Sequence, residues 1–170
     1  FGAHVVAFDP APNPTCEAMG VEYVSLEAMY ATTDIITLHC PLAPPTHHLL
    51  DADAFAAMKS GVMIINTSRG GVIDTQALID ALKARKVGAV GLDVYEEEGD
   101  LFFRDLSNEV IDDDVFARLL TFPNVLVTAH QGFFTREAVE AIATTTLRNC
   151  DDIAAGRSAG HREVLPHYVV

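Results

Sequence analysis

Six short apolar runs, each separated from the next by a stretch of helical or turn character, constrain this chain more than any other feature. HVVAFD, DIITLHC, GVMIINTS, VGAVGLDV and NVLVTAH read as buried strands, with a weaker one at VEYV. Between them, helices mark their own ends. Asp51 can cap DADAFAAMKSG, with Phe55 and Met58 on one face and Gly61 as the stop. Asp74 or Thr75 can cap TQALIDALKARKVG, with Leu78 and Leu82 on one face and Gly88 after its end. A last helix is expected from near Thr135 to Gly156. Strand–helix–strand alternation with near-continuous apolar strands predicts a parallel sheet covered on both faces. Right-handed crossovers make it doubly wound, and ligands then bind at the carboxyl ends of the strands. Those ends carry Asp9, Cys40-Pro41, Thr67-Ser68-Arg69, Asp93 and His130, so this edge is the predicted site. The stretch from Glu96 to Asp114 lacks clean periodicity and is expected to be a loop that is functional or covers something.

Composition narrows the partners. With 11 basic against 24 acidic residues the formal net charge is -13, a field that repels a polyanion, so no nucleic acid is expected. The acidic runs EEEGD and IDDDVF read as solvated surface. No apolar run approaches the ~20 residues of a membrane-spanning helix, and no membrane partner is expected. Three cysteines, Cys16, Cys40 and Cys150, form an odd set without CxxC spacing, which favours a reducing, cytoplasmic location over a disulfide framework.

A dinucleotide fold normally opens with a strand, a GxGxxG turn and a helix whose backbone N–H groups hold the pyrophosphate. This sequence has no GxGxxG and begins at Phe1-Gly2-Ala3, where the second strand of such a fold would begin. The expected architecture is therefore α/β, a Rossmann-like NAD-binding domain lacking its first strand and glycine-rich turn. Residues 1–156 are expected to form this partial domain and 157–170 a C-terminal arm. Asp9 occupies the place of the acidic residue that bonds the adenosine ribose, and reads equally as a turn residue before Pro10. A carboxylate there repels a 2′-phosphate, and Pro10-Ala11-Pro12 offer no Arg to hold one, so NAD is expected over NADP.

Hydride transfer between nicotinamide and a 2-hydroxy acid needs a planar cation for the substrate carboxylate, a base near neutral pKa and a carboxylate behind that base. Arg69 projects from a strand end before Gly70-Gly71, His130 ends NVLVTAH, and Glu98 closes DVYEEE. Taken singly, they also fit an exposed loop Arg, a satisfied strand-end His and one member of a solvated acidic run. Cys40, before Pro41 with no activating base in evidence, reads as a lining residue rather than a nucleophile. Adjacent His47 and His48 are expected to point apart, and no metal is assigned. Tyr95, Phe133 and Phe134 are expected to be packing residues, with an aromatic beside His130 able to touch substrate.

NTSRGGVID, GLDVYEEE and NVLVTAHQGFFTREA, in this order and spacing, resemble the motifs of the D-isomer-specific 2-hydroxyacid dehydrogenases. DLFFRDLSNEVIDDDVF and HQGFFT look like the fermentative D-lactate dehydrogenase branch, and the resemblance runs from about Val5 to Gly156. It implies that Arg69 binds the substrate carboxylate, that His130 is the acid–base, and that Glu98, at a fixed offset from Asp93, is its carboxylate. It also implies that Asp93 contacts the nicotinamide side, that Asp9 binds the ribose, and that Cys40, Pro41, Thr46, Thr67 and Ser68 line the cofactor. The substrate is then a small 2-keto or 2-hydroxy acid, D-lactate and pyruvate by branch, the substrate domain lies mostly upstream of residue 1, and the full-length parent is a homodimer. Two other expectations stand beside it: an NAD-binding sensor or corepressor-like protein, which would need no matched acid–base pair, and a 170-residue piece inactive by itself.

Overall fold

The computed structural model describes residues 2–102, 105 and 108–157; residues 103, 104, 106 and 107 of the expected loop, and 158–170 of the expected arm, lie outside the described residues. The strands are β1 (Val6–Ala7), β2 (Glu22–Tyr23), β3 (Ile35–Leu38), β4 (Val62–Asn66), β5 (Val87–Leu92) and β6 (Val125–Val127), each inside one of the apolar runs. All pairings are parallel. They form two sheets, β1–β2 and β3–β4–β5–β6, where a single sheet edge was expected to gather every strand end.

The helices are α1 (Pro14–Ala18), α2 (Leu26–Thr32), α3 (Ala52–Ala57), α4 (Thr75–Lys83), α5 (Asp114–Leu120) and α6 (Arg136–Ala154). Each starts at a polar residue whose side chain accepts a backbone N–H of the first turn: Asn13, Ser25, Asp51, Asp74, Asp113 and Thr135. Asp113 belongs to the acidic run expected to be mere solvated surface, and instead it starts α5. Two stops also differ from expectation. The helix α3 ends at Met58, and Gly61 sits at the entry to β4 with φ +83°. The helix α4 ends at Ala84, and Arg85 takes the left-handed conformation at φ +57°. Gly88 lies within β5, where a Cβ would stand 2.5 Å from the Gly61 carbonyl oxygen, so glycine there serves close approach rather than helix termination.

In the larger sheet the strand order follows the chain order, so right-handed crossovers place α3, α4 and α5 on one face. Burial agrees. Ile36, Leu38, Val62, Ile64 and Asn66 are buried, whereas Ile35, Met63 and Leu126 are exposed. Within the first compact unit, Phe1–His130, apolar side chains line the opposite face.

Leu50, Ile64, Leu78 and Leu119 anchor the core between helices and sheet. The chain divides into two compact units, Phe1–His130 and Gln131–Val170, and α6 with its Thr135 cap forms the described body of the second. No helix among the described residues is long and apolar enough to cross a membrane.

Ile64 has no exposed surface and sits mid-strand. Ile64→Ala is expected to lower the unfolding free energy by about 2–5 kcal/mol in a urea titration, and a change below ~1 kcal/mol would contradict this packing.

Candidate active site

At the end of β4 the chain turns sharply, and a buried amide holds the turn. Asn66 Nδ2 donates to the Arg69 carbonyl at 2.9 Å, and Asn66 Oδ1 accepts the Ser68 N–H at 3.0 Å. Ser68 Oγ donates to the Cys40 carbonyl at 2.5 Å, tying this turn to the end of β3. Between the two strand ends lies an open cleft of about 450 Å³, lined by His39, Cys40, Pro41, Leu42, Thr67, Ser68 and Arg69. Five residues expected at the site thus meet in one place. Sequence reasoning missed Asn66 and His39. Their signals were a polar side chain closing an apolar strand and an imidazole just before Cys40.

The exposed Arg69 donates from Nη1 to the Ser68 carbonyl at 2.7 Å. Thr46 Oγ1 donates to the Pro41 carbonyl at 2.6 Å and accepts the Ala43 N–H at 2.9 Å, closing the loop that follows Cys40. Burial pushes the Cys40 thiol pKa up, the wrong direction for a nucleophile. Asp9 is exposed, accepts the Ala11 N–H at 2.7 Å as a turn residue does, and is not among the cleft-lining residues.

The second group forms at the ends of β5 and β6. His130 Nδ1 lies 2.8 Å from Glu98 Oε1, and Glu98 Oε2 accepts the Tyr95 N–H at 3.0 Å. An ionised carboxylate only accepts, so Nδ1 carries the proton in this pair, and Nε2 is the ring nitrogen that does not face Glu98. Ala129 and His130 are consecutive non-glycine residues at φ +56°, each costing roughly 1–3 kcal/mol of backbone strain. The fold holds them there: His130 N–H donates to the Asp93 carbonyl at 2.5 Å, and Thr128 Oγ1 donates to Asp93 Oδ1 at 2.5 Å. Asp93 is therefore joined to the histidine through the backbone.

Of the neighbouring acids, Glu97 is exposed and Glu96 turns to His48, 2.5 Å away. His47 and His48 do not point apart as expected. Their rings stack with centroids 3.9 Å apart, because His48 has φ +50° and its side chain is turned back over its neighbour. Tyr95 is buried as expected; its hydroxyl donates to Asp113 Oδ2 at 2.8 Å, and burial, then that bond, pushes its pKa far above the ordinary tyrosine value. Phe133 and Phe134 depart from expectation, since both are exposed and meet each other edge-on.

A family model described as the NAD binding domain of D-isomer specific 2-hydroxyacid dehydrogenases matches residues 1–132. A 2-hydroxyacid dehydrogenase homolog of Haemophilus influenzae is 57% identical over 92% of this chain and 47% of its own length. The D-lactate dehydrogenase of Escherichia coli is 53% identical over 93% of this chain and 48% of its own. The solved pyruvate reductase of Chlamydomonas reinhardtii superposes with a TM-score of 0.89 at 49% identity, covering 93% of this chain and 48% of that one. The chain spans about half the length of the curated relatives it matches.

The raised thiol pKa of Cys40 delays its thiolate to higher pH, while Cys150 is exposed. Iodoacetamide at pH 8 is expected to label Cys150 roughly tenfold faster than Cys40 by peptide mass mapping. Equal rates would contradict the burial of Cys40.

Proposed function

The chain belongs to the D-isomer specific 2-hydroxyacid dehydrogenases, in their NAD binding domain, and we propose that the full-length protein reduces a small 2-keto acid to the D-2-hydroxy acid with NADH. Pyruvate and D-lactate are the proposed pair, supported by the relatives named D-lactate dehydrogenase and pyruvate reductase. The observation that carries the reading is the His130–Glu98 pair beyond the strand ends, its histidine held in a left-handed backbone conformation.

Bound NAD supplies or accepts the hydride. The cleft suits the nicotinamide end of such a group: Cys40, Pro41 and Leu42 give it an apolar wall, and Thr67 and Ser68 a polar one. Thr46 keeps the first wall in place, and Asp93 anchors the backbone of His130. Asp9 spends one acceptor position on Ala11, and a carboxylate has about four, leaving capacity for ribose hydroxyls.

Arg69 binds the substrate carboxylate, supplying the local cation that a chain of net charge -13 needs to hold an anion. In the reductive direction His130 donates the Nε2 proton to the forming alkoxide, and Glu98 stabilises the imidazolium before transfer. In the reverse direction the same nitrogen takes the hydroxyl proton.

On this reading residues 1–156 contribute the cofactor side of the site and 157–170 a terminal arm, while the substrate domain comes from the rest of the full-length protein. That protein is taken to be a cytoplasmic homodimer; the free cysteines agree with a reducing compartment.

In the full-length enzyme, Arg69→Leu is expected to raise KM for pyruvate and lower turnover together. His130→Gln should lower kcat by about 10²–10⁴-fold with NADH binding retained. Steady-state kinetics checks both, and wild-type values in the two variants would remove the mechanism.

A further inference from the structure

Glu96 lies two residues before Glu98 and is held by different partners. Its Oε1 lies 2.5 Å from His48 Nε2, and its Oε2 accepts from Thr75 Oγ1 at 3.1 Å and from Thr75 N–H at 3.4 Å. His48 is itself sewn to the turn after β4. Its N–H donates to the Gly71 carbonyl at 2.8 Å, and the next ladder bonds run from Leu50 N–H to Val72 O at 3.1 Å and from Asp74 N–H to Leu50 O at 3.1 Å. Gly70, next to Arg69, lies so close to the turn after β5 that a Cβ there would stand 2.0 Å from the Tyr95 carbonyl carbon and 2.4 Å from the Glu96 nitrogen. One carboxylate therefore ties together the His48 loop, the start of α4 and the turn that carries Glu98.

Three bland roles account for Glu96 less well. A helix cap is not needed, because Asp74 already caps α4 through the Ala77 N–H at 2.9 Å. A solvated acid would not sit half-buried with both oxygens engaged. A metal centre is suggested by ligand atoms of His47, His48 and Glu96 lying within 4.8 Å of one another. However, tetrahedral ligands at ~2.0–2.2 Å from a cation are more than 3 Å apart, and His48 Nε2 and Glu96 Oε1 are 2.5 Å apart. Stacked rings also aim their in-plane lone pairs side by side rather than at one point. Direct hydrogen bonding fits this geometry, and it also accounts for the left-handed backbone of His48, a strain that persists only where surroundings over-determine it.

We propose that His48 and Glu96 form a positioning pair for the reaction: they fix the turn that presents Glu98 to His130 and, through the Gly70 contact, the turn that presents Arg69. This rests on the dehydrogenase reading above. Neither residue touches the reacting atoms. Charged or titratable neighbours of His48 are Glu96, Asp74, whose Oδ2 is 4.0 Å from Nδ1, and the stacked His47. A misplacement of ~1 Å at a catalytic carboxylate can cost about 10²-fold in rate, so a loosened anchor acts on turnover rather than on cofactor affinity.

The test uses the full-length enzyme with pyruvate and NADH, comparing wild type, H48A, H48Q and E96A. H48A and E96A are expected to lower kcat by about 10–100-fold while the Kd for NADH changes less than about threefold. H48Q keeps a donor where Nε2 stood and should recover most of the loss. The imidazole ¹⁵N signals of His130, recorded without substrate, should show the Nδ1 hydrogen bond to Glu98 weakened in E96A and kept in H48Q. Unchanged kcat and His130 signals in folded H48A and E96A would overturn the proposal, as would H48Q behaving like H48A. If H48A and E96A fail to fold, H48Q decides: near-wild-type turnover and His130 signals support the pair, and their loss overturns it. An inactive wild type would instead be a failure of the dehydrogenase reading, and the nitrogen signals would still judge the pair.

Discussion

The site depends on one close approach of backbone to backbone. With no Cβ at Gly70, the turn after β4 lies directly against the turn after β5, at the Tyr95–Glu96 peptide. Even alanine would put an atom 2.0 Å from the Tyr95 carbonyl carbon, and each turn follows directly from a strand with buried side chains, which resists its yielding. The contact sets where Arg69 leaves one turn and Glu98 the other. An arginine and a glutamate beyond the ends of separate strands are thus placed by packing, not by a bond between them.

The polar economy of the fold follows from that placement. The buried polar or charged residues among those described are Asn66, Thr75 and Asp93, and all three serve this edge. Asn66 holds the Ser68–Arg69 turn, Thr75 donates to Glu96, and Asp93 accepts from Thr128 and, by its carbonyl, from His130. A buried polar group left unpaired costs about 1–3 kcal/mol, so each of these bonds resists rearrangement of the site. Strain concentrates in the same place: Ala129, His130 and His48 all occupy left-handed backbone conformations.

Much of this was legible in the chain. The strands fall inside the apolar runs, and Asp51, Asp74 and Thr135 cap the helices expected of them. Cys40, Pro41, Thr67, Ser68 and Arg69 stand at strand ends and gather at one cleft. What escaped was short or doubly determined. The helices α1, α2 and α5 have only 5 to 7 residues, too few turns for a 3.6-residue period to show. Gly88 looked like a helix stop because a glycine needed for close approach and one needed for a left-handed turn are the same letter.

Local order and residue type are what the amino-acid sequence determined unaided: alternating elements, their caps, and an arginine and a histidine delivered to strand ends. Partner choice belonged to the tertiary structure. By residue type Glu96, Glu97 and Glu98 are equivalent, and only family spacing singled out Glu98. In the fold Glu98 meets a histidine 32 residues away and Glu96 another 48 residues away, while Asp113 leaves its acidic run to cap α5 and hold Tyr95. Such pairings depend on the register of neighbouring strands and on the backbone conformation of single residues such as His48. Short-range periodicity carries information about neither.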